Sequence, residues 1–113
     1  MILGIGVDIV DLIRFDNLAV NQKFRDQYFS DSENLLNAQS LAGRFAAREA
    51  LYKAVGTQDT FEWKDIEIIN TSSGAPKFIF KNNAAKYFKL KRIHLSISHV
   101  PEYAISIVII ESV

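Results

Sequence analysis

Apolar side chains alternate with small or acidic ones from Ile2 to Val10. Leu3, Ile5, Val7 and Ile9 share one face of an extended segment, while Gly4, Gly6 and Asp8 share the other. Glycine packs nothing in a strand interior, so the second face leaves room for something to come close beside a carboxylate. Over residues 11–28 the spacing turns helical, with Leu12, Phe15, Leu18 and Ala19 in step. One or two short helices are predicted there, carrying Arg14, Lys23 and Arg25 as local positive charge. Ser30-Asp31-Ser32-Glu33 has the form of a capping box, and the apolar pattern behind it runs to Val55, where Gly56 offers a stop. That stretch predicts the longest helix of the chain.

Strand-like patterning returns from Trp63 to Ile69 and from Lys77 to Phe80, on either side of a turn at Gly74-Ala75-Pro76, and residues 82–90 predict a short helix. Ile93 to His99 and Tyr103 to Ile110 flank Val100-Pro101-Glu102 as a terminal hairpin. The run AISIVII within the last strand is apolar on both faces, which predicts either a central place in a sheet or cover by another subunit. The predicted class is α+β, a small antiparallel sheet packed on a long central helix. With 113 residues and no Pro/Gly/Ser-rich stretch to divide them, residues 1–113 are expected to form a single domain.

Composition narrows the partners more than the fold. Lys plus Arg equals Asp plus Glu at 13 each, so no global field favours nucleic acid or an anionic membrane, and any anionic ligand must meet a local patch. Neither kind of partner is expected. Without cysteine there are no disulfides and no thiolate metal sites. The apolar start is interrupted by Asp8 and Asp11 and lacks a basic leader, unlike a signal peptide, and a cytoplasmic location is expected. A domain this small often gains from oligomerisation.

Three constellations carry candidate chemistry. On the long helix, Ala42, Ala46, Glu49, Ala50 and Lys53 fall on one side, with Arg44 and Arg48 roughly opposite. Taken alone, Glu49 and Lys53 read first as an ordinary i,i+4 pair on a solvated face and only second as a hard-cation ligand beside a phosphate-binding amine, and the spacing by itself does not choose. Asp8 reads as a loop cap, an edge-strand charge or a ligand. If the first strand packs on the long helix, Asp8 and Glu49 could share one Mg²⁺, which takes one or two carboxylates and completes its shell with water and substrate oxygens. In Ile93 to His99, alternation sends His94, Ser96 and Ser98 to one face. A Ser98–His99 hydrolase would need an orienting acid and an oxyanion hole that no motif supplies, and Gly4-x-Gly6 lacks the third glycine of a dinucleotide fingerprint.

Taken together and in order, three segments resemble the holo-acyl-carrier-protein synthase family of phosphopantetheinyl transferases across nearly the whole chain. Gly4-Ile5-Gly6-Val7-Asp8-Ile9-Val10 is similar to the family's opening motif. Phe45-Ala46-Ala47-Arg48-Glu49-Ala50-Leu51-Tyr52-Lys53-Ala54 resembles its F-x-x-K-E-A-x-x-K-A signature, and Ser96-Ile97-Ser98-His99 its third motif. The resemblance implies an Mg²⁺-dependent enzyme that moves phosphopantetheine from coenzyme A to an acyl carrier protein serine in support of fatty acid synthesis. It also implies a homotrimer with coenzyme A at subunit interfaces. Asp8 and Glu49 would be metal ligands and, with Lys53, catalytic; Arg14 would meet the carrier; Arg44, Arg48, Gly56, Ser98 and His99 would join it in binding substrate. Arg48 stands where the family usually has lysine, and Gly56-Thr57-Gln58-Asp59-Thr60 lacks a further glycine usual in that loop.

Overall fold

A computed structural model describes residues 1–56 and 61–113, so most of the loop that departs from the family pattern, residues 57–60, lies outside the described residues. Strand β1 (Ile2–Asp11) runs into helix α1 (Leu12–Ala19), followed by α2 (Gln22–Tyr28), a 3-10 turn at Glu33–Leu35 and the long helix α3 (Ala38–Val55). A second 3-10 turn, Trp63–Asp65, leads into β2 (Ile66–Asn70) and β3 (Pro76–Phe80); α4 (Asn82–Phe88), β4 (Lys91–His99) and β5 (Tyr103–Ser112) complete the order. The class is α+β. Where one small sheet was expected, the described residues form two, both antiparallel: a three-stranded sheet in the order β1-β5-β4 and the β2-β3 hairpin.

Side chains at the helix starts explain the early boundaries. The Asp11 carboxylate accepts from the backbone N–H of Ile13 at 2.9 Å and of Arg14 at 3.2 Å, turning strand into helix within one residue. Asn21 does the same for α2, accepting from Lys23 at 2.9 Å. The long helix begins later than the capping box predicts. Ser30 and Glu33 do make the reciprocal bonds of such a box, the Ser30 N–H to Glu33 Oε1 at 3.1 Å and the Glu33 N–H to Ser30 Oγ at 3.3 Å, but they close only a single turn. Asn37 is the working cap of α3, accepting from the Ser40 N–H at 2.9 Å. At the other end Gly56, with φ of 82°, terminates the helix in the left-handed conformation, its N–H on the Tyr52 carbonyl at 3.0 Å.

The glycines of β1 receive the backbone of α3. A Cβ added at Gly4 would lie 1.9 Å from the Ala54 carbonyl oxygen, and one at Gly6 1.9 Å from that of Ala50. What approaches the open face of β1 is therefore the long helix, whose alanines at 42, 46, 50 and 54 are all buried. Its charged turn faces Asp8. Beneath the C-terminal half of α3, Leu51, Ile66, Ile68, Phe78, Phe88 and Val108 form one buried cluster; around its N-terminal half, Phe15, Phe29, Leu41 and Ala104 belong to another. Each large apolar side chain so buried contributes about 1.5–3 kcal/mol against exposure.

The central place expected for the apolar last strand is where β5 lies, paired on one side through Asp8↔Ser106 and on the other through Ile97↔Ser106. Among the described residues only one of its faces is covered. Ala104, Val108 and Ile110 pack under α3, whereas Ile105 and Ile107 remain 43% and 40% exposed beside Ile5, Val7 and Ile9 of β1.

Candidate functional site

Asp8, Glu49 and Lys53, far apart in sequence, meet where β1 crosses α3. Lys53 Nζ donates to Asp8 Oδ1 at 3.0 Å and to the Val7 carbonyl at 3.0 Å. The i,i+4 pair expected of an ordinary helix face does not form; the amine reaches across to the strand. Asp8 and Glu49 instead line one cavity of about 220 Å³ with Asp11, Arg14, Phe15 and Phe45. Burial raises the pKa of the Glu49 carboxyl, the Asp8 charge raises it further, and Lys53 opposes both. Two carboxylates and one amine, bonded to Asp8 alone of the two, form an incompletely neutralised acidic pair.

The donor set is one that a hard cation accepts. Two carboxylate side chains are what Mg²⁺ ordinarily takes from a protein when substrate phosphates and water complete the octahedron. No group of three or more metal-ligating side chains occurs among the described residues, so the remaining positions would fall to substrate or solvent oxygens.

Glu49 also opens to its other side, onto a larger cavity of about 600 Å³ with Gln27, Tyr28, Tyr52, Phe61, Trp63 and Lys64. Its aromatic wall is continuous. Tyr28 meets Trp63 edge-on at 4.8 Å between ring centroids, and Tyr52 stacks on Phe61 at 5.4 Å. This lining has no motif to announce it, because its residues are drawn from separate parts of the chain; only the density of aromatics around residues 24–29 and 61–63 hints at it.

A third region gathers part of the remaining candidates. Arg44 and His99 line a cavity of about 190 Å³ with Ser40, Gly43, Asn70 and Pro76. Ser98 is not with them: strand alternation turns it to the opposite side of the sheet, opposite Ile105. The two residues therefore form no catalytic pair. Gly56 ends α3, its peptide used for the helix cap.

Arg48 requires correction. Expected to bind substrate, it is 0% exposed, and its guanidinium donates to the Glu33 carboxylate and, at 2.6 Å, to the Ile66 carbonyl. A side chain without accessible surface touches no ligand; it fastens α3 to β2. Arg25 is engaged too, donating to the Asn34 side chain at 3.3 Å and to its carbonyl. Arg14, by contrast, is exposed and sits between the exposed apolar side chains of Ile13 and Leu18 at the mouth of the Asp8 cavity.

Residues 4–108 match the sequence profile of the 4'-phosphopantetheinyl transferase superfamily. A relative from Leifsonia xyli subsp. xyli named holo-[acyl-carrier-protein] synthase is 42% identical over 98% of this chain and 98% of its own. The crystal structure of a holo-(acyl-carrier-protein) synthase from Bacillus anthracis in complex with CoA (3',5'-ADP) superposes with a TM-score of 0.84 at 36% identity, covering 100% of this chain and 99% of that one. For the holo-[acyl-carrier-protein] synthase of Neisseria meningitidis the TM-score is 0.91 at 32% identity, with coverage of 99% and 100%.

Proposed function

The chain belongs to the 4'-phosphopantetheinyl transferase superfamily, and from that premise we propose that it is a holo-acyl-carrier-protein synthase acting as one domain over residues 1–113. It transfers 4'-phosphopantetheine from coenzyme A to a serine hydroxyl of apo acyl carrier protein, releasing 3',5'-ADP, in support of fatty acid synthesis in the cytoplasm. The observation that carries this reading is the convergence of Asp8, Glu49 and Lys53 at one strand–helix crossing.

The serine oxygen attacks the phosphorus that bears pantetheine, the pyrophosphate P–O bond breaks, and the electron pair leaves on 3',5'-ADP. Asp8 and Glu49 would hold Mg²⁺, which when bound neutralises pyrophosphate charge. Glu49, its carboxyl biased toward holding a proton by burial and the Asp8 charge, would receive the serine proton directly or through water. Lys53, tied back by Asp8 and Val7, presents positive charge where the leaving group gathers negative charge. The aromatic cavity behind Glu49 suits the uncharged pantetheine arm.

Arg14 and the apolar Ile13 and Leu18 offer the acidic carrier a charged and greasy landing place beside the serine's target. A homotrimer fits the uncovered sheet face, and since Asp8 and Arg44 line separate cavities, coenzyme A would reach both across a subunit boundary. No helix among the described residues is long and apolar enough to cross a membrane.

A mass-shift assay tests the activity. Full-length chain, coenzyme A, Mg²⁺ and apo carrier protein should yield a carrier heavier by about 340 Da, the covalent increment of serine modification. An unshifted carrier in the presence of folded, coenzyme A-bound enzyme would overturn the proposal.

A further inference from the structure

Glu33 lies outside the three family motifs, yet its carboxylate is tied to three separate segments of the chain, the turn at Ser30, helix α3 and strand β2. It is 2% exposed. One oxygen accepts from Arg48 and from the Ser30 N–H at 3.1 Å; the other accepts from the Ile68 N–H at 3.3 Å and faces Arg44 Nε at 3.8 Å. Arg44 is 11% exposed and Arg48 fully buried, so one carboxylate serves two guanidinium groups. The cluster is left with one positive charge that nothing within it neutralises. Arg48 cannot offer that charge to a ligand. Arg44 can: its inner edge faces Glu33, its terminal nitrogens carry no hydrogen bond among the described residues, and it lines the cavity with His99.

We propose that Glu33 is a positioning residue for coenzyme A, holding the inner edge of the Arg44 guanidinium so that its outer edge meets an anionic group of the substrate. This rests on the transferase reading and adds to it a side chain that touches no substrate itself. That reading puts the pyrophosphate at Asp8 and Glu49. The anion left for Arg44, in a cavity with a separate lining, is then the 3'-phosphate.

The test is the double variant Glu33→Gln, Arg48→Met, which removes one buried cation and one buried anion together. It preserves the single positive charge and leaves no fully buried charge alone, the remaining Arg44 being 11% exposed. If Glu33 aims Arg44, the KM for coenzyme A rises about tenfold while kcat stays within about twofold, a loss of roughly 1.4 kcal/mol in binding. The KM for dephospho-coenzyme A, which lacks the 3'-phosphate, should then move by less than about twofold. An unchanged KM for coenzyme A, or an equal rise for both substrates, would overturn the assignment. Should the double variant fail to fold, Glu33→Asp keeps the charge but withdraws it by one methylene, and the same split between the two substrates is required of it. Calorimetric titration of coenzyme A without carrier reads the split in the absence of turnover. Loss of the transferase reading would show up differently, as an unsubstituted chain that binds coenzyme A and modifies no carrier.

Discussion

Asp8 and Glu49 compete for charge in a half-buried space, and that competition gives the site opposite consequences for stability and activity. The folded state raises the Glu49 pKa, first through burial and then through Asp8. Below the ordinary carboxylate range the group is protonated folded or unfolded and contributes no difference. As pH rises from the ordinary value through the raised one, the unfolded chain ionises first, so this carboxylate costs stability that is fully incurred above its folded pKa. Asp8→Asn removes one of the raising causes and, in return, only an ion pair to a largely exposed lysine. In metal-free protein at neutral pH its thermal midpoint should therefore equal or exceed that of the parent, while transfer is nearly abolished; a clear drop in midpoint would refute the account. Glu49→Ala should also nearly abolish transfer in a folded protein. Lys53→Ala should lower kcat by roughly 10² to 10³, the range for removing one group that stabilises developing charge.

The same residues show how far the sequence can be read. Asp8, Glu49 and Lys53 are legible because each sits in a motif, but their contact is not: the i,i+4 spacing predicts a Glu49–Lys53 pair, and the amine bonds instead to a strand that periodicity cannot place. Arg48 misleads because a charge within a signature motif says nothing about burial. Its partner Glu33 is visible only as a capping residue, since a buried ion pair between distant segments leaves no local pattern.

At the scale of elements, the crossing of β1 and α3 is the working part of the fold. Gly4 and Gly6 let the helix backbone settle onto the strand, and that separation sets where Asp8 stands relative to Glu49. Gly6→Ala puts a methyl group into the Ala50 carbonyl, with no flexible side chain to yield. A loss of about 1–3 kcal/mol is expected, as for other overpacked sites, together with a fall in kcat larger than a distant substitution of equal cost would give. Denaturant melts paired with turnover at a temperature where both proteins are folded will decide it. The open strand face is evident from the sequence as a place of close approach; that a helix rather than a ligand fills it is not, because glycine admits either. Likewise the Ser30–Glu33 box is recognisable but its extent is not. Whether a cap opens one turn or many depends on the residues beyond it, and here Leu36 at ψ of 157° breaks the helix before Asn37 restarts it.

For the whole molecule, the uncovered face of β1 and β5 is the dominant feature. Leu3, Ile5, Val7, Ile9, Ile105 and Ile107 are each at least 40% exposed, a contiguous apolar surface of the sort that marks an interface. Light scattering at micromolar concentration should return a trimer, and Ile107→Lys should dissociate it with loss of transfer; a monomeric parent with full activity would remove the assembly from the mechanism. Encounter with the carrier belongs to this scale too. With net charge zero, steering must come from the local field around Arg14, so Arg14→Ala should raise the KM for carrier, and added salt should weaken the parent more than the variant.

The order of strands also bears on how a growing chain comes to be folded on the ribosome. Among the described strands β5 is synthesised after all the others, yet it is the middle member of its sheet and the hydrogen-bonding neighbour of both β1 and β4. Until Tyr103–Ser112 has emerged, β1 and the aspartate it carries have no ladder to join, and two strand edges wait unpaired. Translation at about 5–20 residues per second thus delivers the candidate metal ligands seconds before the strand that secures them, so nascent chains halted short of β5 should be captured by chaperones that bind exposed strands, and chains extended past it released.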